Sequence, residues 1–338
     1  MSTPPHLRRL GADGPAVGPV GLGTMGMSDG YYGAADDAES IGTIRHAIDR
    51  GVTLIDTADV YGDGHNEELV GRALQGMRDR VALATKTGLV TTASGLTVDA
   101  RPQRIAAALD ASLARLGTDH VDLYYLHRID PDVPVEESVG AMADLVRAGK
   151  VRHIGLSEVG PTTLRRAAAV HRIAAVQSEY SLWNRDPEAA LLPVLRETGT
   201  ALVAFSPLGR GFLTGASPAP DDLAEDDLRR RLPRFTGENR AANLPIADRV
   251  REVADRHGAT PAQVALAWLL DRGPDVIPIP GTRRRARVDA NVAAAALVLD
   301  DDDRARLDDP ALRPAGDRYP PALMDLLDPE VRRGSPPA

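Results

Sequence analysis

Four polar side chains stand at the ends of apolar runs, where a buried strand has little ordinary use for them. Asp56 closes Leu54-Ile55-Asp56, and Tyr61 follows five residues later. Lys86 closes Ala84-Thr85-Lys86, and His127 closes Tyr124-Tyr125-Leu126-His127. Taken singly, each has an everyday reading: a helix N-cap, a packed ring, a satisfied core histidine. Lys86 is the hardest to place that way, because a lysine inside an apolar run needs a counter-charge. As a set, these types suit proton donation to an oxygen that is gaining negative charge. A phenol with a pKa of about 10 is a weak acid at neutral pH. An ammonium beside it favours the phenolate and is expected to lower that value. Asp56 would hold Lys86 in place and charged, while His127 would donate a hydrogen bond to the substrate oxygen. No nucleophile is needed, so the set fits carbonyl reduction with hydride from a cofactor.

The elements that must carry these residues follow from the apolar pattern. Eight runs are expected as strands: Val20–Leu22, Thr53–Asp56, Val81–Lys86, Val121–His127, Val151–Ser157, Ala174–Tyr180, Ala201–Ser206 and Val276–Pro280. They are continuous rather than alternating, as parallel strands buried on both faces should be. Helical patterns lie between them. Arg101–Leu116 puts Ile105, Leu109, Leu113 and Leu116 on one face and ends at Gly117. Glu136–Ala148 groups Val139, Met142, Leu145 and Val146. Asp186-Pro187 is expected to open a helix that stops at Gly199, and Thr260-Pro261-Ala262-Gln263 has the form of a capping box. Strand–helix alternation without a linker predicts one α/β (β/α)8 TIM barrel spanning residues 1–338, with an open doubly wound sheet as the alternative. Adjacent barrel strands lie about 4.8 Å apart, so the four polar residues would meet within roughly 10 Å on the C-terminal rim.

Gly21-Leu22-Gly23-Thr24-Met25-Gly26 fits the dinucleotide fingerprint letter by letter. That fingerprint needs a helix opening at its third glycine. Here Met27–Gly33 is loop-like and the next helix begins near Asp36, so a strand turning into its loop is the better reading. Residues 209–243 are the largest irregular stretch and are expected as a long loop after the seventh strand, over the rim. Residues 310–338 are Pro-rich and are expected as a surface tail.

Composition narrows the class. Forty basic against 48 acidic residues leave a net charge of −8, which argues against general nucleic-acid or anionic-membrane binding. The absence of cysteine excludes disulfides, thiol nucleophiles and thiolate metal sites. No apolar leader region or membrane-length run stands out in the sequence, so a cytoplasmic protein without a metal is expected.

At the residues quoted above the chain resembles the aldo-keto reductase superfamily, from about residue 20 to residue 300. The resemblance implies Tyr61 as general acid, Lys86 and Asp56 as the groups that tune it, and His127 as the group that orients the carbonyl. It further implies an NADPH site. Gly23, Thr24, Met25 and Asp56 would line it. Ser157, Glu158 and Gln177 would contact the carboxamide, and Phe205 would stack on the nicotinamide. Ser206, Pro207, Leu208, Gly209, Arg210 and Gly211 would lie along the pyrophosphate. Gly281, Thr282, Arg283 and Arg287 would take the 2′-phosphate, and Asn291 the adenine. Four arginines in five positions would otherwise be an ordinary solvated helix face. Glu158 stands where many members have Asn, and Ala290 where many have Glu. Tyr180-Ser181-Leu182-Trp183, Pro233-Arg234-Phe235 and Glu238-Asn239 resemble the subgroup with pyridoxal and perakine reductases. Met25, Tyr32, Arg128 and Trp183 are the candidate substrate pocket, with Arg128 facing either an acidic substrate group or Asp130. Potassium-channel β subunits resemble the same superfamily, which leaves a regulatory cofactor-binding subunit as the alternative to an enzyme. An unrelated barrel lyase or isomerase would use the arginines but not the Tyr–Lys–Asp–His set.

Overall fold

The computed structural model describes residues 7–93, 95–215 and 220–332. Eight strands form one parallel sheet in chain order: β1 (Leu22–Gly23), β2 (Leu54–Asp56), β3 (Ala82–Thr87), β4 (Val121–Leu126), β5 (Val151–Ser157), β6 (Ile173–Glu179), β7 (Ala201–Phe205) and β8 (Val276–Pro278). The sheet curls until its first and last strands meet, through the parallel bridge Gly23–Gly281 and a 2.9 Å bond from the Gly21 N–H to the Pro278 carbonyl. This is the expected (β/α)8 barrel. An antiparallel hairpin, Arg8–Arg9 with Ala16–Val17, precedes β1, and its Leu10 and Val17 pack into the barrel's interior cluster.

Strand parity decides what faces inward. The interior cluster holds Leu54, Ala82, Ala84, Leu123, Tyr125, Ala175, Val203 and Ile277. Successive side chains on a strand point to opposite faces. Asp56 therefore shares the face of Leu54, Lys86 that of Ala84, His127 that of Tyr125, and Gln177 that of Ala175. The alternate residues Ile55, Leu83, Tyr124, Ile154, Val176 and Leu202 pack outward against the helices. Those helices are α1 (Asp37–Asp49), α2 (His65–Leu74), α3 (Pro102–Leu116), α4 (Val135–Arg147), α5 (Pro161–Val170), α6 (Leu191–Thr198), α7 (Gly237–His257), α8 (Pro261–Asp271) and α9 (Arg285–Ala293). Gly117 ends α3 in the left-handed region, and Thr260 with Gln263 forms the reciprocal capping box of α8.

Three expectations are corrected. Asp186-Pro187 does not open the helix: Asp186–Glu188 is a separate 3-10 turn, and α6 begins at Leu191. A helix running from Pro187 would carry Pro193 in its interior, whereas starting at Leu191 puts it in the first turn, where its missing N–H costs nothing. The stretch 209–243 is more ordered than a loop. It contains 3-10 turns at Gly209–Thr214, Leu228–Arg231 and Pro233–Phe235, and α7 begins inside it at Gly237. Its residues 216–219 lie outside the described residues. The segment from 310 is not a surface tail throughout. Arg318, Tyr319, Leu327 and Asp328 are buried, and short helices α11 (Pro321–Met324) and α12 (Pro329–Arg332) follow α10 (Asp301–Leu307). Residues 333–338 lie outside the described residues.

The Gly21–Gly26 segment behaves as its following loop suggested. Gly26 sits in the 3-10 turn Met25–Met27, and among the described residues no α-helix forms before Asp37. No described helix is long and apolar enough to cross a membrane, and no described cluster of His, Asp and Glu could hold a metal.

Candidate active site

The ends of β2, β3 and β4 bring the four expected residues together at the C-terminal mouth. The Lys86 ammonium is fully buried and donates to Asp56 Oδ1, to the Thr57 carbonyl at 2.8 Å and to the Tyr61 hydroxyl at 3.3 Å. The His127 ring stands edge-on to the Tyr61 ring at 5.8 Å between centroids. One carboxylate oxygen of Asp56 takes Lys86, and the other accepts from the Gln177 amide at 2.7 Å. Gln177 thus fixes the ion pair from across the barrel.

The loop carrying Tyr61 is held by a residue the sequence reading missed. Asn66, fully buried, accepts from the Thr24 and Thr57 hydroxyls and donates to the Thr24 carbonyl and to Ser28 Oγ, each at 2.9 Å. Four bonds on one amide tie the loop after β1 to the loop after β2. Tyr31, also missed, meets the Tyr61 ring edge-on at 5.9 Å.

Burial is the largest influence on every titratable member. It pushes the Tyr61 phenol well above its ordinary range, with Asp56 adding to the rise and Arg128 and Arg210 opposing it. Burial also drives Lys86 down and Asp56 up, each opposed by the charge of the other. The His127 imidazole lies well below its usual value, first from burial and then from Arg128 and Lys86. This corrects the expectation of an acidified phenol: in the resting site the hydroxyl keeps its proton, and His127 is neutral. One ring nitrogen of His127 is buried without a partner. A buried polar atom left open costs about 1–3 kcal/mol unless a ligand meets it.

Around this centre the other expected residues divide. Ser157 Oγ accepts from Arg128 Nη1 at 3.2 Å, and the same nitrogen donates to the His127 carbonyl at 2.6 Å. Asp130 does not take Arg128; its carboxylate accepts from the Ala100 and Asp132 N–H groups. Thr24 donates to the Asp56 carbonyl at 2.8 Å, and Met25 opens the adjacent turn. Phe205 is half-buried against the interior cluster. Ser206 and Arg210 have φ of 48° and 54°, a strained region for residues other than glycine, and Gly209 and Gly211 flank Arg210 with φ of 55° and 93°. The Arg210 guanidinium spans the mouth, donating to the Tyr32 hydroxyl at 3.2 Å and the Tyr319 hydroxyl at 3.1 Å. Pro207 and Leu208 continue the same turn. Trp183 is buried at 3% exposure, stacked on Phe212 at 4.0 Å and edge-on to Phe235 at 5.0 Å.

Beyond β8, Gly281 forms the closing bridge and Thr282 Oγ1 caps the Arg284 N–H at 3.1 Å. Arg283 is engaged with the β1 loop, donating to the carbonyls of Tyr32 at 2.9 Å, Gly33 at 3.4 Å and Ala34. Among the described residues no carboxylate pairs with Arg283, Arg284 or Arg287, and Asn291 is buried beside them. The Arg287 guanidinium is pushed down by burial and then by Arg284, Arg229 and Arg283. Arg229, from the loop after β7, adds to the field on Arg287 but is itself paired with Asp227 at 2.6 Å. Several unneutralised cations at the opening of α9 are the chemistry of an anion site.

The aldo/keto reductase family model matches residues 19–311. A curated relative from Glycine max, a probable aldo-keto reductase, is 42% identical over 297 residues, 87% of this chain and 86% of that protein. A glycerol dehydrogenase from Gluconobacter oxydans superposes with a TM-score of 0.81 at 32% identity, covering 93% of this chain and 97% of that one. An aldo/keto reductase from Klebsiella pneumoniae, solved with NADP and acetate, gives 0.72 at 32% identity, covering 93% and 98%.

Proposed function

The chain belongs to the aldo/keto reductase family, whose members are oxidoreductases, and from that premise we propose that it reduces an aldehyde or ketone to the alcohol with NADPH, Tyr61 delivering the proton. NADPH, when bound, supplies the hydride. The contact that carries this reading is the Lys86 ammonium, which touches both the Asp56 carboxylate and the Tyr61 hydroxyl at the barrel mouth.

Each residue then has one task. Tyr61 holds its proton while the site rests, because burial and Asp56 disfavour the phenolate. As the carbonyl oxygen gains negative charge, the proton moves from Tyr61 Oη to that oxygen. Lys86, 3.3 Å away, stabilises the phenolate left behind. Asp56 and Gln177 keep Lys86 from turning elsewhere. His127, neutral, donates a hydrogen bond to the carbonyl oxygen and orients it without competing as an acid.

The cofactor reading rests on the rim. Gly23, Thr24, Met25, Ser157, Glu158, Gln177 and Phe205 encircle the nicotinamide position, and Ser206–Gly211 lie along the pyrophosphate. Gly281, Thr282, Arg287 and Asn291 take the adenosine end. Arg283 serves chiefly by holding the β1 loop over it. The unneutralised arginines favour NADPH over NADH. Met25, Tyr32 and Arg128 border the substrate space, and the likeness to pyridoxal and perakine reductases points to carbonyls on aromatic or ring systems. The intact tetrad and the acidic net charge favour an enzyme over a regulatory subunit.

Titrating the protein with NADPH, following nicotinamide fluorescence, and then assaying aromatic, aliphatic, sugar and pyridoxal aldehydes tests the proposal. Binding at micromolar concentrations and turnover of at least one class support it. No fluorescence change at tens of micromolar rejects it.

A further inference from the structure

Glu158 is a carboxylate in a place where an isolated charge is costly. Its side chain is 1% exposed, it follows β5 directly, and its φ is 54°. Both carboxylate oxygens are held. Oε1 accepts from the Glu179 N–H at 2.8 Å, and Oε2 accepts from Arg318 Nη2 at 2.8 Å. The Glu158 N–H donates to the Gln177 carbonyl at 2.9 Å, which fixes the backbone too.

Arg318 comes from the C-terminal segment, 160 residues away in sequence, and its side chain is 4% exposed. A second nitrogen, Nη1, lies 3.6 Å from Glu179 Oε2, and that oxygen also accepts from the Tyr319 hydroxyl at 3.2 Å. Downstream, Asp328 accepts from the Gly160 N–H at 3.3 Å and Thr163 Oγ1 at 2.6 Å, which pins the segment to the start of α5. The segment is therefore anchored at Arg318, Tyr319 and Asp328.

A carboxylate has about four lone-pair sites, and two on Glu158 are taken. Those left accept only a donor. Arg318, with Arg128 as the lesser contributor, supplies the charge that keeps Glu158 ionised in the interior, and its hydrogen bond fixes which way the free lone pairs face. Resting on the cofactor reading above, we propose that Arg318 is a positioning residue of the nicotinamide subsite. It aims Glu158 as an acceptor for the carboxamide N–H of the cofactor, so docking of the C-terminal segment and nicotinamide binding are coupled.

The test compares NADPH with its reduced 3-acetylpyridine analogue, in which a methyl group replaces the amide NH2. Wild-type protein should hold NADPH about tenfold or more tighter than the analogue, the worth of one charged hydrogen bond. Arg318→Met should weaken NADPH by a similar factor and leave the analogue within twofold, erasing the preference. Arg318→Lys should restore part of it. If Arg318→Met does not fold, Arg318→Gln carries the same comparison, because it removes the charge at little loss of volume. A preference that survives in the neutral variant, or equal weakening of both cofactors, overturns the role of Arg318. Wild-type protein that binds both equally overturns the aim of Glu158 instead, and failure to bind NADPH at all overturns the cofactor reading beneath both.

Discussion

The Lys86 ammonium stands 3.3 Å from the Tyr61 hydroxyl while its other donors go to Asp56 and the Thr57 carbonyl. No donor on that nitrogen is free to wander. The phenol that shares it is raised by burial rather than lowered by the charge. On the proposed function, the ammonium therefore benefits the phenolate left after proton transfer, not the resting phenol. Catalysis gains only from interactions stronger in the transition state than before it.

Removing the counter-charge should expose how much Lys86 depends on it. Asp56→Asn leaves a buried ammonium without a carboxylate, and the fold should lose about 3–5 kcal/mol in urea unfolding near neutral pH. The loss should shrink as pH rises towards the ordinary lysine value, because Lys86 can then be neutral in both states. Adding Lys86→Met to Asp56→Asn should recover most of the stability but no activity. A single variant as stable as wild type would show that the pair is not a charged one.

Asp59 lies behind the site and has its own pH signature. Burial, aided by Glu67 and opposed by Thr87, pushes its carboxyl up to about 6. The folded state thus binds this proton more tightly than the unfolded chain does. Its contribution to stability is present at acid pH and is lost as pH rises from about 4 through 6. Asp59→Asn should therefore be more stable than wild type by about 1–3 kcal/mol at pH near 8, and nearly equal to it at pH near 4. Melting temperatures at the two pH values decide the matter, and a variant less stable at alkaline pH would contradict it.

The arginines beyond β8 should separate by role. Arg287→Ala should weaken NADPH about tenfold and NADH little, with a shallower salt dependence, because it removes one cation facing the phosphate. Arg283→Ala should weaken both cofactors and lower the melting temperature, because it releases the carbonyls of Tyr32, Gly33 and Ala34. Fluorescence titrations of each variant with both cofactors at two salt concentrations check this. Identical behaviour of the two variants would refute the division.

Much of the site was legible because strand parity is a property of the chain itself. Asp56, Lys86 and His127 fall on the parity of Leu54, Ala84 and Tyr125, so an inward face at the mouth follows once eight parallel strands are accepted. The Thr260 capping box was legible for the same local reason. Arg318 was not. It sits among prolines with no periodic neighbour, and its partner Glu158 is joined to it only by tertiary structure. Asn66 carried no signal beyond its place at a helix start. The state of the phenol was misjudged because burial, which sequence does not measure, outweighs the neighbouring charge.

The central claim is tested most directly by Tyr61→Phe, comparing NADPH affinity with the rate of a single turnover of an aldehyde the wild type accepts. The variant removes one hydroxyl and leaves Lys86, Asp56 and Gln177 with the rest of their bonds. Affinity should stay within about threefold while the single-turnover rate falls by about 10²–10⁴-fold. An unchanged rate would show that the proton comes from elsewhere and would contradict the account.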